Sequence, residues 1–245
     1  GIPHVLLELG NFQCGQPGGM FDRHLGRLCP DWLQGLDSML VLAEPLLRND
    51  TLSGFFIGDE LGLSGVGYLE FVNVTDHLRL RIGPGKLLTT NEGRIFGNNS
   101  KLSGHVCPAS ETGSGRGAIP GCLWPRVPPA LDFISVDLYY SNGTKEVERV
   151  KSYYENFVFP GMSAHQLVFA VPGTFWDKRF NNKTTTSLRH QAENELRLVQ
   201  KLQAYIEWAK VEPRLVGLMP WHYNDRCYQH MGKFAPLCGG ARTLP

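Results

Sequence analysis

Six short runs along the chain either alternate apolar with polar positions or stay apolar throughout, and each predicts a β-strand. They are His4–Leu9 (HVLLEL), Gly54–Glu60 (GFFIGDE), Lys86–Glu92 (KLLTTNE), Asp132–Tyr140 (DFISVDLYY), Gln166–Pro172 (QLVFAVP) and Leu215–His222 (LVGLMPWH). Helical periodicity fills the gaps. From Thr186 to Lys210 the residues Leu188, Ala192, Leu196, Val199, Leu202 and Ile206 recur three and four apart, and Pro213 closes the helix. Asp31 to Arg48 places Trp32, Leu36, Leu40 and Leu47 on one side, with Pro45 expected to bend or shorten it. Lys145 to Phe157 carries Val147, Val150, Tyr154 and Phe157 in the same way, and Val66 to Arg81 reads as a fourth helix despite its β-branched residues.

Strands alternating with helices imply βα units and a parallel sheet, either a barrel or a doubly wound open sheet. Parity within the strands favours the barrel. In Asp132–Tyr140 one parity is Ile134, Val136 and Leu138, and the other is Ser135, Asp137 and Tyr139. A barrel wall turns its apolar parity outward to the helices and admits polar groups inside, whereas a doubly wound sheet, buried on both faces, favours continuous apolar runs. Phe55 and Ile57 then point outward with Glu60 inward, and Val5, Leu7 and Leu9 stand opposite Glu8. No dinucleotide or phosphate-loop fingerprint follows a strand. The glycines of Gly113-Ser-Gly115-Arg-Gly117 lack the Lys-Ser/Thr ending and a preceding strand. Residues 1–225 are therefore expected to form a (β/α)8, TIM-barrel-like α/β domain, and residues 226–245 a disulfide-clamped tail.

With 245 residues, 42% hydrophobic and 11% aromatic, the chain can build one sizeable core. A net charge of +1 with scattered Lys and Arg gives no footprint for nucleic acid. The most apolar stretch, Met39–Leu47, is interrupted by Glu44 and Pro45 and is too short to span a membrane. Cysteines and sequons add the compartment. The six cysteines fall into three close pairs, and local bridges Cys14–Cys29, Cys107–Cys122 and Cys227–Cys238 are the simplest of the pairings open to them. Sequons stand at Asn49, Asn73, Asn98, Asn142 and Asn182. Together they place the protein outside the cell, or in the lumen of the secretory or lysosomal pathway. On that reading a signal peptide has already been removed ahead of Gly1-Ile2-Pro3.

The runs GFFIGDE with Glu60, DFISVDLYY with Asp137 and Tyr139, and LVGLMPWHYND with Trp221 resemble strands four, six and eight of glycoside-hydrolase (β/α)8 barrels. DFISV and GLMPW are distantly similar to chitinase-like barrels. The chitinase D-x-x-D-x-D-x-E signature would fall on Ser53, Phe56, Gly58 and Glu60, which keeps only the final Glu, so no single family is assigned. The resemblance implies an acid/base carboxyl at the end of strand four and an aromatic sugar platform at the end of strand eight. It also makes His4–Leu9 the third strand, so that about six strands are visible where a full barrel has eight. Either an associated chain or a missing N-terminal segment supplies two βα units, or the arrangement is a divergent six-stranded one.

Glycoside hydrolysis needs one carboxylic acid to protonate the leaving oxygen and a second group to act as nucleophile, base or cation stabiliser. Glu60, beside Phe55, Phe56 and Leu61, is the candidate acid, because desolvation raises a carboxyl pKa. Asp137 is the candidate partner, with Tyr139 on its face, and Asn91 at a neighbouring strand end. Glu92, Asp59 and Glu8 are rival carboxylates. Trp221, Trp176 and His222 complete the candidate glycan-binding set. Glu60 serves equally as a helix-capping or Arg-paired carboxylate in a structural reading, Asp137 as a buried rim residue and Trp221 as a core aromatic. The histidines have no metal-ligand spacing, no G-x-S-x-G elbow exists, and no cofactor is expected. The expected activity is glycan hydrolysis. The alternatives are a non-catalytic glycan-binding protein and a structural or assembly glycoprotein on the same scaffold.

Overall fold

The computed structural model describes residues 5–9, 14–16, 19–22, 27–96, 123–138, 144–173 and 188–220. Among these residues the elements run β1 (Leu6–Glu8), β2 (Phe21–Asp22), β3 (Arg27–Leu28), α1 (Trp32–Arg48), β4 (Gly54–Asp59), α2 (Tyr68–Ile82), β5 (Leu87–Glu92), β6 (Phe133–Val136), α3 (Thr144–Tyr153), β7 (Leu167–Ala170), α4 (Leu188–Val211) and β8 (Leu215–Leu218). β2 and β3 pair as a small antiparallel hairpin in the connection between β1 and α1. The other six strands are those expected from the sequence, and they form one parallel sheet in the order β1-β4-β5-β6-β7-β8.

That order follows the chain without a reversal. A doubly wound sheet reverses direction at a switch point, whereas a barrel wall is wound one way. The described strands form an open sheet with β1 and β8 at its ends and do not close a barrel.

Register divides the strand residues between two faces. Phe55 pairs with Leu88, Thr90 with Ile134, Glu92 with Val136, Ile134 with Val168 and Val136 with Ala170, so these side chains share a face. All but the polar Thr90 and Glu92 join a single apolar cluster with Leu36 and Met39 of α1, Phe71, Val74 and Leu78 of α2, Val147 and Val150 of α3, and Tyr205 and Trp208 of α4. The opposite face has two rows. Glu8, Phe56, Thr89, Phe133 and Leu167 form the first, and Asp59, Asn91, Ser135, Phe169 and Gly217 the second. Phe56, Phe133 and Phe169 are only half-buried, and the Phe133 and Phe169 rings touch at 5.2 Å between centroids.

Two helices depart from expectation. α1 runs one turn beyond Pro45 to Arg48, with Pro45 on its solvent side, so the proline does not end it. On α4 the expected core stripe is rotated. Leu196, Val199 and Ile206 are 57%, 63% and 41% exposed, while Lys201, Tyr205 and Trp208 face inward. The inward face buries the Tyr205 and Trp208 rings, and Glu146 of α3 accepts hydrogen bonds from Lys201 Nζ and Tyr205 OH, each at 3.3 Å.

The amino ends of the strands are fastened by polar groups. Arg79 of α2 reaches the carbonyls of Gly83, Lys86 and Ala130 and the Asp132 carboxylate at 2.5 Å, and Asp132 also accepts Leu88 N–H at 2.7 Å. Gly54 opens β4 where a Cβ would stand 1.9 Å from the Leu87 carbonyl oxygen, so only glycine lets β4 approach β5 there. Past Tyr153 the helix widens into a π-turn, Tyr154–Val158. It aims two tyrosines at the sheet. Tyr154 OH accepts Val136 N–H and donates to the Phe169 carbonyl, both at 2.9 Å, tying β6 to β7, while Tyr153 OH bonds both backbone groups of Phe96. Burial, with a smaller contribution from the Asp137 charge, pushes the Tyr154 phenol well above its usual range, so it is a neutral donor at any physiological pH.

Candidate functional site at the carboxyl ends of the strands

In parallel α/β sheets the strand carboxyl ends are where loops from adjacent units meet and ligands bind. Here that end gathers carboxyl groups. Asp59 closes β4 and Glu60 follows it, Glu92 closes β5, and Asp137 follows β6. The pairing of Asn91 with Ser135 and Asp59 assigns Asn91 to the open face, and the pairing of Glu92 with Val136 assigns Glu92 to the helix side.

Glu60 has a backbone conformation that its residue type disfavours. Its φ is +51°, in the left-handed region where a Cβ crowds the following carbonyl. Neighbouring hydrogen bonds hold it there. Glu60 N–H donates to the Asn91 carbonyl at 2.8 Å, Ser64 N–H donates to the Glu60 carbonyl at 2.9 Å, and Val66 N–H to the Leu61 carbonyl at 3.0 Å. The carboxyl lies against Gly93, where a Cβ would stand 3.3 Å from Oε1. A glycine there would relieve the strain, so the glutamate persists against a local preference, which is a pattern found at functional sites.

Beside it runs a chain of side chains across three strands. Ser135 Oγ donates to Asn91 Oδ1 at 2.7 Å, and Asn91 Nδ2 donates to Asp59 Oδ1 at 2.6 Å. Ser135 and Asn91 are buried and Asp59 is half-buried, so the chain aligns a carboxylate at the rim. Asp137 is half-buried and, two residues beyond Ser135, shares its face. Its N–H donates to the Glu92 carbonyl at 2.7 Å, which extends the β5–β6 ladder past the strand.

Glu92 is fully buried. Its Oε2 accepts Gly62 N–H at 2.9 Å, and burial, reinforced by the charges of Asp59 and Glu60, pushes its carboxyl well above the usual range. Trp124, in the β5–β6 connection, is fully buried, packs its ring at a tilt against Phe71 with centroids 4.7 Å apart and donates Nε1–H to the Val66 carbonyl at 3.3 Å. On the other flank the hairpin, tied by the Cys14–Cys29 disulfide, rests Phe21 on Phe71 and sets Leu28 N–H against Glu70 of α2.

Of the residues singled out from the sequence, Glu60, Asp137 and Asn91 thus stand at one end of three neighbouring strands. Tyr139, Trp176, Trp221 and His222 lie outside the described residues, as do Cys107–Cys122, Cys227–Cys238, the tail 226–245, and Asn98, Asn142 and Asn182. Asn49 and Asn73 are both exposed. The roles of Ser135 and Trp124 went unread in the sequence. Ser135 was visible only as the polar member of an alternating strand, and nothing local marks Trp124. Among the described residues no cluster of His, Cys, Asp and Glu is arranged to hold a metal ion, and no helix is long and apolar enough to cross a membrane. No protein-family model, curated protein or solved structure matches the chain.

Proposed function

We propose that this protein is a secreted, N-glycosylated protein of glycoside-hydrolase type that cleaves glycans, with Glu60 as proton donor and Asp137 as its partner carboxylate. One observation carries the reading: a glutamate held in a left-handed conformation at the carboxyl end of a parallel strand, beside an ordered Asp59–Asn91–Ser135 chain. β4 and β6 are separated by one strand, so their backbones lie about 10 Å apart at the usual interstrand spacing. Side chains converging from such positions suit the roughly 5–10 Å separation of paired carboxyls in glycosidases. Asp59, on the same face, is the alternative partner. In a polar site the residues needed for this chemistry are all the chain's own, and hydrolysis consumes only water.

The Cys14–Cys29 disulfide and the exposure of Asn49 and Asn73 support passage through the secretory pathway. The half-buried Phe56, Phe133 and Phe169 favour an additional piece that completes the barrel over the open face, either an associated chain or further βα units. The test is release of reducing sugar from an oligosaccharide panel by wild type and Glu60→Gln, with binding recorded in parallel. Turnover lost in the variant with binding retained supports the reading. Binding without turnover in either protein replaces it with a glycan-binding role, and neither activity replaces it with a structural one.

A further inference from the structure

Among the described residues Glu92 is a buried carboxyl at the end of a sheet strand that the proposed chemistry leaves unused, and its surroundings are those of a built support. Gly62 stands two residues beyond Glu60, in the turn between β4 and α2. A Cβ at Gly62 would meet Ile95 Cδ1 at 2.7 Å, Trp124 Cε2 at 3.1 Å and Glu92 Oε2 at 3.2 Å, so the turn is pressed onto these three groups. Glu92 supplies the only polar contact of the three, the acceptor for Gly62 N–H. Taking Glu60 as the proton donor, we infer that Glu92 is its positioning residue: a carboxyl that never meets substrate but fixes the turn from below and so holds Glu60 over Gly93.

Thr90 Oγ donates to the Gly58 carbonyl at 2.8 Å and lies 3.4 Å from Glu92 Oε1, to which it donates only weakly. Burial is the largest influence on the Glu92 carboxyl and favours its neutral form, as do the charges of Asp59 on β4 and Glu60 on the turn, against the opposing bonds from Gly62 and Thr90. Kept neutral, Glu92 supports the turn without repelling the carboxyl it positions.

The experiment compares Glu92→Gln with Glu92→Leu in the full chain, reading Gly62 amide exchange and the titration of the 13C-labelled Glu60 carboxyl. Glutamine keeps the acceptor for Gly62 N–H, so Glu92→Gln is expected to match wild type in both readouts. Leucine fills the space without an acceptor, so Glu92→Leu is expected to speed Gly62 exchange on the order of ten- to a hundredfold and to move the Glu60 titration. Wild-type values in Glu92→Leu overturn the inference. So does Glu92→Gln behaving like Glu92→Leu, because the support would then depend on a charged carboxylate. Should Glu92→Leu not fold, the wild type decides, since the Gly62 amide shift must follow the Glu92 carboxyl through its own titration, and independence of the two overturns the bond. None of these readouts uses sugar. Failure of Glu60→Gln to abolish turnover would remove the glycosidase reading and leave them standing, and within that reading Glu92→Leu should lower kcat more than it raises KM.

Discussion

Glu60 can be tested through its backbone before any substrate is known. A side chain at φ +51° carries a left-handed penalty of about 1–2 kcal/mol that glycine escapes. Glycine in turn loses about 0.5–1 kcal/mol through its greater freedom in the unfolded chain. The balance at this position favours glycine over alanine by about 0.5–1 kcal/mol. At an ordinary helical site the order is reversed, and exposed Asp76 on α2 serves as the control, where Asp76→Gly should fall below Asp76→Ala by about 1 kcal/mol. Because Glu60→Ala and Glu60→Gly both delete the carboxyl, their difference isolates the backbone term. Urea unfolding with a common slope measures it as a shift in midpoint. Glu60→Gly less stable than Glu60→Ala, as at Asp76, would refute the left-handed turn and with it the argument that the glutamate is kept for its side chain. Under the glycosidase reading Glu60→Gly also abolishes turnover, so one substitution raises stability above that of Glu60→Ala while removing function.

Three further outcomes follow from the packing. Lys201→Met removes one partner of the buried Lys201–Glu146 ion pair and should cost about 3–5 kcal/mol in urea unfolding, most of it recovered in the double variant with Glu146→Leu. Loss of the Cys14–Cys29 bridge, which closes a loop of 15 residues, by the double substitution Cys14→Ser and Cys29→Ser should cost about 3 kcal/mol, read as a lowered Tm under non-reducing conditions. Glu92 holds its proton longer folded than unfolded, so its contribution to stability is complete below the usual carboxyl value of 4.5 and is lost as pH rises towards its higher folded value. Glu92→Gln should therefore match wild type in acid and exceed it increasingly at neutral pH, by at most about 1.4 kcal/mol per pH unit. A difference between the two that does not change with pH would contradict the buried neutral acid.

Local pattern was a good guide wherever one face of an element meets the core. The parity of Asp132–Tyr140 separates Ile134 and Val136 from Ser135 and Asp137 as the sheet does, and Val147, Val150 and Tyr154 mark the buried side of α3 and of the π-turn that follows it. It failed on α4. The aliphatic residues there specify one orientation, and the helix instead buries Tyr205 and Trp208 and turns Lys201 towards Glu146, a partner far away in sequence. The site was legible in part for the same reason. Glu60 and Asp137 could be found at strand ends, but the Ser135–Asn91–Asp59 chain crosses three strands and exists only through their register. The two-residue strands β2 and β3 are too short for any periodicity to reveal.

The two ends of the sheet carry different charged groups. At the amino end Arg79 spends its donors on three carbonyls and on Asp132, whose carboxylate also takes Leu88 N–H, an arrangement that locks α2 to β5 and β6. At the carboxyl end Asp59, Glu60, Glu92 and Asp137 gather on three adjacent strands, and the nearness of like charges helps to hold Glu92 in its neutral form. Crowded carboxyls and a left-handed glutamate both lower stability. Both are borne where βα loops converge, the end of a parallel sheet at which ligands bind.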